Sequence, residues 1–200
     1  STTSSDGCNF TARLTASDGN RVTTRNVAVN LNFSVKLTNL GTGALSGSGN
    51  TIYTANSGMV LTSTTGSYGG QYTLDHMFDG VTTATLGNYF LSNGSNTDTF
   101  TLDFSSANNN DGDAMSYIQK LVITPYCRSD SFSNITKIER SSDGTNWTET
   151  HGNQNLTSSN SGAGVSHTFN LNTSDLYVRI SVSRTGNWGT SLNEIEVYGI

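Results

Sequence analysis

The sequence predicts an all-β protein, built as a two-sheet antiparallel β-sandwich of the jelly-roll kind. Apolar residues recur at every second position in one run after another, whereas helical periodicity is almost absent. The composition agrees, because 21 glycines and abundant serine, threonine and asparagine suit short strands joined by polar turns. Strands at this density, each apolar on one face, favour two sheets that bury those faces against each other.

The first predicted strand is the longest. Its apolar residues alternate with polar ones from Val27 to Leu37, within an N-terminal extension that we place at residues 1–50. A glycine- and serine-rich stretch at the end of this extension precedes the sandwich, which we place at residues 51–200. A strand that is apolar on one face must bury that face. We expect it either to pack on the sandwich as an extra strand or to act as an oligomerising arm that makes the chain a homo-oligomer.

The strands of the sandwich then follow at short intervals. Phe100, Leu102 and Phe104 alternate with polar residues, and residues 121–123 form a continuous apolar run that is typical of a buried strand. The later strands are marked by Ile135, Ile138, Phe169, Leu171, Leu176, Val178, Ile180, Val182, Ile195 and Val197. The inward faces of these strands are the predicted core.

Composition and charge limit the partners. Hydrophobic residues make up 33% of the chain, charged residues 12%, and the formal net charge is −5. The 10 basic residues are not clustered, which argues against nucleic acid and against an anionic membrane. No stretch approaches the about 20 apolar residues that a transmembrane helix needs. We therefore expect a secreted, extracellular or cell-surface module. The sequence starts without a signal peptide, as we expect of a mature product or an excised fragment.

Cys8 and Cys127 are the two cysteines of the chain. They form either one disulfide bond or two unpaired thiols. A disulfide that closed so long a loop would give about 4–5 kcal/mol in the chain-entropy model. No Cys-x-x-Cys spacing occurs, so metal binding by cysteine is not expected.

Three motifs occur in a fixed order along the chain. The first is Met-Phe-Asp-Gly at residues 77–80, which precedes several threonines. The second, Ser-Ser-Asp-Gly-Thr-Asn-Trp-Thr at residues 141–148, combines an Asp-Gly turn with a returning tryptophan. The third is Asn-Glu-Ile-Glu-Val-Tyr-Gly at residues 193–199. This ordered set resembles the discoidin (coagulation factor 5/8 type C) domain and the family 32 carbohydrate-binding modules. The resemblance covers residues 52–200 and implies a galactose-binding-like sandwich.

The resemblance also implies a structural calcium ion between the loop of the first motif and the last strand. The matching positions are Asp79, Thr83 or Thr85, and Glu194, together with backbone carbonyls. Calcium prefers such a set of hard oxygen ligands. Relatives usually place the threonine where Ala84 stands here, so the alternative is a plain Asp-Gly turn with Glu194 in solvent.

A sugar-binding site at one end of the sandwich is the second implication of the resemblance. An aromatic ring stacks on the sugar there, and polar side chains bond its hydroxyls. The predicted ligand-binding residues are Arg128, Asp130, Asn134, Trp188, Tyr68 and Tyr89. Trp188 has an alternative place as a lid folded onto the core.

Catalysis is not expected, because His76, His151 and His167 are scattered and no nucleophile elbow or phosphate-binding loop occurs. The predicted function is a lectin-like module that binds cell-surface or polysaccharide glycans. Each site would bind weakly, so several copies would act through avidity. The alternative is a cell-adhesion or fibre-tip domain that uses the same loops to bind a protein or a lipid. The sugar itself stays open.

Overall fold

The computed structural model describes residues 8–17, 22–31, 35–37, 52–54, 57–83, 87–128, 131–154, 156, 162–163, 165–186 and 189–200. These residues form strands and one 3₁₀ turn at Leu74–Met77. The strands are β1 Cys8–Ser17, β2 Val22–Leu31, β3 Val35–Lys36, β4 Ile52–Thr54, β5 Val60–Ser63, β6 Phe90–Leu91, β7 Thr97–Asp103, β8 Ile118–Arg128, β9 Ser131–Ser141, β10 Thr148–His151, β11 Gly162–Ala163, β12 His167–Thr173, β13 Tyr177–Gly186 and β14 Ser191–Gly199. The predicted all-β class is confirmed.

Two antiparallel sheets form the sandwich. In the first, here named the β14 sheet, β8 lies between β12 and β14, while β3 and β6 pair with β14. In the second, the β13 sheet, the order is β10-β9-β13-β7-β5-β4. In the central strands, every second side chain faces the other sheet, as the period-2 pattern predicts.

The core lies between the two sheets and combines predicted alternating residues with others that were not predicted, such as Met59, Leu74 and Met77. Phe90 of the β14 sheet meets Phe100 of the β13 sheet edge-on, with ring centroids 5.2 Å apart and planes at 87°. Each fully buried Leu, Ile or Phe stabilises the fold by about 1.5–3 kcal/mol. The fully buried apolar residues include Leu61, Phe100, Leu102, Phe104, Leu121, Ile123, Ile135, Ile138, Val178, Ile180 and Val197.

Strand β8 belongs to both sheets. Its residues from Ile118 to Pro125 pair with β14, whereas Cys127 and Arg128 pair with Phe132 and Ser131 of β9. The two sheets are therefore joined at the C-terminal end of β8. This end is named the joined end below.

The second motif closes a turn on the outer face of the β13 sheet. Asp143 accepts hydrogen bonds from the Asn146 and Thr145 amides, at 2.8 Å each, and these bonds hold its pKa below the usual range. Trp147 then returns to the sheet, as predicted, and its ring covers the Arg179 guanidinium at 4.2 Å. The same guanidinium donates to the carboxylate of Glu139 at 2.7 Å. The turn thus shields a buried ion pair.

The N-terminal extension divides into two parts. Strands β1 and β2 form a two-stranded sheet of their own, and among the described residues they pair only with each other. Strand β3 belongs to the sandwich: Leu37 is buried in the core, and its amide donates to the Val197 carbonyl at 2.8 Å. The long strand predicted from Val27 to Leu37 is therefore found as β2 and β3, and residues 35–37 join the sandwich although they precede the predicted boundary at residue 51.

Within the part of the chain that the structure describes, no helix has the length and apolar character needed to cross a bilayer. The side chains of Cys8 and Cys127 lie outside the described residues, so their pairing stays a prediction.

Candidate functional site

Segments from distant parts of the chain meet at the joined end. Strand β13 ends where Gly186 pairs with Ser131, and β14 begins where Ser191 pairs with Leu91 of β6. The segment that follows β5 reaches the same place, because Ser67 forms a bridge with Ser92. The topology therefore brings together the strand ends that flank the loops in which sugar-binding residues were predicted.

Four tyrosines form a continuous cluster at the joined end. Tyr89 stacks on Tyr126 with ring centroids 3.5 Å apart and planes only 5° from parallel. The Tyr72 ring packs against Tyr89 with centroids 5.0 Å apart, and Tyr68 and Tyr72 meet edge-to-face with centroids 6.3 Å apart. The cluster links the Tyr68 segment to the end of β8, which carries Arg128.

The members of this tyrosine cluster differ in exposure. Tyr89 is 2% exposed, whereas Tyr68 is 55% exposed. Burial, and after it the hydrogen bond to Tyr126, raises the pKa of the Tyr89 phenol above its usual range. Tyr89 therefore supports the cluster from within, and Tyr68 is the member whose ring is open to solvent.

Strand β6 holds the Tyr68 segment in place. The Tyr68 amide donates to the Leu91 carbonyl at 2.8 Å, and the Leu91 amide donates to the Tyr72 carbonyl at 3.3 Å. On its other side, β6 meets the start of β14, where a Cβ atom on Gly189 would lie 2.3 Å from the Ser92 carbonyl oxygen. Only glycine fits so close a backbone approach. The segments before and after β6 are thus packed against one another.

The remaining predicted sugar ligands are placed only in part. Arg128 ends β8 opposite Ser131, although its side chain lies outside the described residues. Asn134 is half-buried on β9, opposite Ser183. Asp130 and Trp188 lie outside the described residues.

A second polar group, the acidic site, connects the loop of the first motif to β14. Gly80 has φ +78°, which suits glycine, and its amide donates to Glu194 Oε2 at 3.1 Å. Asp79 accepts from the Val81 amide at 2.8 Å through Oδ1 and contacts His76 Nδ1 at 3.0 Å through Oδ2. Both predicted carboxylates therefore meet at one loop.

An irregularity in β14 allows two adjacent side chains to reach this loop. The strand pairing shifts between Leu192 and Glu194, opposite Pro125 and Thr124. Proline has no N–H to donate, so a bulge is favoured there. In a regular strand, neighbouring side chains point to opposite faces. Here Asn193 donates to the Val81 carbonyl at 3.0 Å, while Glu194 accepts from the amide of Gly80, the residue before Val81.

The electrostatics of the acidic site favour a cation. Burial, and after it the negative charge of Asp79, raises the pKa of Glu194 to about 8. Asn193 is fully buried, and its Oδ1 atom has no hydrogen-bond partner. Two neighbouring carboxylates and an unpartnered amide oxygen are ligands that fit calcium.

No three His, Cys, Asp or Glu side chains cluster as a metal site within the described ranges. A cation at the acidic site would therefore need backbone carbonyls or hydroxyls as well. Thr83 is exposed beside this loop, and Thr85 lies outside the described residues.

Sequence reasoning missed two members of the tyrosine cluster, Tyr72 and Tyr126. Tyr126 directly precedes the Cys127–Arg128 pair, so its position near the predicted site was readable. The stacking of Tyr126 on Tyr89 could not be predicted from the sequence, because these two residues are brought together only by the pairing of β6 and β8 with β14.

No protein-family model matches the chain, and no curated protein sequence matches it. Several solved structures are similar to it. One is a pectin-binding carbohydrate-binding module, at 19% identity and TM-score 0.46, over 68% of this chain and 87% of that chain. Another is the family 32 module of Clostridium perfringens NanJ in complex with galactose, at 16% identity and TM-score 0.43, over 70% and 93% of the two chains.

Allantoicase from Saccharomyces cerevisiae is also similar, at 15% identity and TM-score 0.45, over 72% of this chain. The matched region spans 41% of the allantoicase chain. Family 32 modules, which the sequence motifs predicted, are thus among the solved structures to which the chain is similar.

We predict that Glu194 makes the calcium-free protein less stable as the pH rises. Its folded-state pKa is about 8, above the ordinary glutamate pKa of 4.5, so the folded state binds the proton more tightly. The contribution is fully present below about pH 4.5 and is lost as the pH rises to about 8. Glu194→Gln cannot titrate and should lack this decline when urea unfolding is measured in chelator at pH 5 and pH 8.

Glu149→Gln is the matched control, since Glu149 is exposed on β10. It should keep the wild-type dependence on pH. If Glu194→Gln and the wild type lose the same unfolding free energy between the two pH values, the assignment of this proton to Glu194 is wrong.

Proposed function

We propose that the chain is a non-catalytic, extracellular module that binds glycans at the joined end of its sandwich. The exposed Tyr68, supported by the tyrosine cluster beneath it, carries this proposal. A ring that is open on one side and fixed on the other can stack on a sugar, and it loses little conformational freedom on binding. The predicted partners Arg128 and Asn134 lie on the strands that meet at this end.

The character of the surface supports sugar over lipid or protein. Among the residues outside the β1–β2 hairpin whose burial the structure describes, the exposed large hydrophobic side chains are Tyr68 and Val165. Membrane and protein partners require contiguous apolar patches. Two isolated side chains do not form such a patch, whereas a single aromatic ring among polar groups suits a sugar face.

Calcium has a structural role in this proposal. Asp79 and Glu194 would hold the ion, with the Asn193 side-chain oxygen, the Thr83 hydroxyl and nearby carbonyls as further ligands. When bound, the ion neutralises two carboxylates and ties the Gly80 loop to β14. This loop follows the 3₁₀ turn, whose Leu74 and Met77 are fully buried. The ion would therefore stabilise one side of the joined end.

The three histidines have no catalytic role in this proposal. His76 contacts Asp79, His151 packs edge-on against Phe169 at 5.5 Å, and His167 begins β12. These three positions belong to separate elements, and His151 Nδ1 contacts the Thr150 hydroxyl at 3.1 Å. An extracellular location is the setting in which such a module meets glycans.

In this proposal, the separate hairpin of β1 and β2 joins copies of the module, so that their glycan sites act together. Its register places Phe10 opposite Val29 and Ala12 opposite Val27, so apolar positions of both strands fall on one face. A two-stranded hairpin alone is marginally stable at best in water. We propose that this face packs against a second copy of the chain and brings several weak glycan sites together.

The first prediction from this proposal concerns glycan binding. Tyr68→Ala should weaken binding to the best glycan of an array by about thirtyfold, because aromatic residues at binding hot spots contribute about 2 kcal/mol or more. The melting temperature should stay near that of the wild type. Trp188→Ala and Arg128→Ala are predicted to weaken binding as well.

Tyr117→Ala is the matched control, because this tyrosine lies at the opposite end of β8, where its amide bonds the Ile200 carbonyl. It should bind as the wild type does. If no glycan binds while a protein or a lipid vesicle does, the alternative of a cell-adhesion or fibre-tip domain replaces the glycan proposal.

Calcium should raise the melting temperature, and chelation should lower it reversibly. A ligand at 100 times its Kd that binds only the native state adds about 2.7 kcal/mol to the unfolding free energy. Asp79→Asn should remove this response, whereas Asp111→Asn, in an exposed turn elsewhere, should retain it. Calorimetry with and without chelator measures both. An identical wild-type melt in the two buffers would contradict the calcium proposal.

The oligomer proposal is tested on adjacent residues of β2. Val29→Asp places a charge on the apolar face of the hairpin and should convert the oligomer to a monomer of 21.3 kDa in light scattering after gel filtration. Ala28→Asp changes the opposite face and should leave the oligomer intact. A wild type that already elutes as a monomer at high concentration excludes the arrangement.

A further inference from the structure

Asp98 occupies a core-facing position of strand β7. The strand alternates buried and exposed residues, and Asp98 lies on the same face as Phe100 and Leu102. It is 2% exposed. A buried carboxylate is costly unless hydrogen bonds replace its water, so the protein must supply donors at this point.

Most of the donors come from the end of β5 and the turn that follows it. The Thr64 amide donates to Asp98 Oδ1 at 3.0 Å, and the Thr64 hydroxyl donates to the same atom at 2.6 Å. The Ser63 and Thr65 hydroxyls bond the carboxylate as well, and so does the Thr99 amide at 2.7 Å. These donors are neutral. Asp98 therefore gathers three consecutive residues of one turn around its two oxygens.

The turn is closed by side chains. Ser63 Oγ, which donates to Asp98, also accepts from the Gly66 amide at 3.3 Å. The chain then continues directly into the segment that carries Tyr68. The Gly66 carbonyl accepts from the Asn93 amide at 3.2 Å, and the Tyr68 amide donates to Leu91 at 2.8 Å. Hydrogen bonds thus fix the chain on both sides of residue 67, at Gly66 through Ser63 to Asp98 and at Tyr68 through Leu91.

We propose that Asp98 is the positioning residue of the exposed Tyr68 surface. It does not contact Tyr68, but it fixes the turn from which the Tyr68 segment starts. Loss of its hydrogen bonds should loosen the segment between Ser63 and Tyr68 and leave the rest of the sandwich intact. The inference rests on the proposed function for its effect on glycan affinity, and its effect on the backbone can be measured independently.

The test is residue-resolved amide hydrogen exchange by NMR on the full chain. Asp98→Asn keeps the size of the side chain but replaces one acceptor oxygen with a donor. Bonds to charged groups are about twice as strong as neutral ones. The Thr64 and Tyr68 amides should therefore exchange about tenfold faster or more, whereas the amides at the centres of β8 and β13 should not change.

The exchange rate of the Tyr68 amide shows whether Asp98 positions the Tyr68 segment or acts only on the residues that it contacts, because the acceptor of this amide is Leu91 and not Asp98. Faster exchange at both Thr64 and Tyr68 supports the proposal. Faster exchange at Thr64 alone overturns it, as does no change at either amide. Asp103→Asn is the matched control: this residue lies on the same strand and bonds the Ser105 amide, so only exchange near Ser105 should respond.

A milder pair of variants covers the case in which Asp98→Asn does not fold. Thr65→Val removes one hydroxyl donor and keeps the carboxylate, while Thr65→Ser keeps the hydroxyl. Thr65→Val should speed exchange of the Tyr68 amide by a few-fold, and Thr65→Ser should restore the wild-type rate. Equal rates in the two variants would count against the role of Asp98.

Glycan affinity separates this inference from the proposed function. If both stand, Asp98→Asn weakens binding to the best glycan of the array, as Tyr68→Ala does. If Tyr68→Ala binds like the wild type, the glycan site proposed at Tyr68 is wrong, while the exchange result still decides the positioning role. If exchange is unchanged and Tyr68→Ala loses binding, only the positioning inference fails.

Discussion

The membership of β8 in both sheets is the constraint on which the arrangement of this molecule depends. Its first part pairs with β14, and its last residues pair with β9. A single strand therefore joins the sheets at one end of the core. The starts of β9 and β14 must lie there, and so must the segments that precede and follow β6. The candidate sugar site lies where the strand topology forces distant segments to meet.

The same strand also explains the acidic site. Pro125 cannot contribute an amide hydrogen to the ladder, and the pairing with β14 shifts beside it. This shift turns Asn193 and Glu194 toward the loop at Gly80 and Val81, which a regular strand would not allow. One imino acid in a central strand thus connects the backbone of the sandwich to the electrostatics of its candidate metal site.

The fold class could be predicted because each strand has its own period-2 pattern, and Phe100, Ile123, Ile180 and Val197 are all buried as that pattern requires. The acidic site could be predicted in part, because the motifs supply Asp79 and Glu194 at matching positions. The bulge that brings Asn193 to the loop could not be predicted, because it depends on the register between β8 and β14. Pairing register is a property of two strands, and periodicity describes only one.

The tyrosine cluster and the N-terminal extension show the same limit. Tyr89 and Tyr126 look equivalent in sequence to the exposed Tyr68, yet Tyr89 is buried and stacks on Tyr126, because β6 and β8 both pair with β14. Val35 and Leu37 continue the alternation of β2, but they belong to a different sheet. Alternation predicts which face of a strand is apolar. It does not identify the sheet against which that face packs.

The three buried carboxylates of the described residues compensate for their loss of hydration in different ways. Glu139 lies between two cations, and the Arg179 guanidinium, followed by Lys137, holds its pKa below the usual value. Asp98 is satisfied by hydroxyls and amides alone. Glu194 has a single bond from the Gly80 amide and a like charge beside it, and its pKa is raised. Glu194 is therefore the one that has neither a partner of opposite charge at short range nor a set of several donors, and this deficit is what the proposed calcium ion would correct.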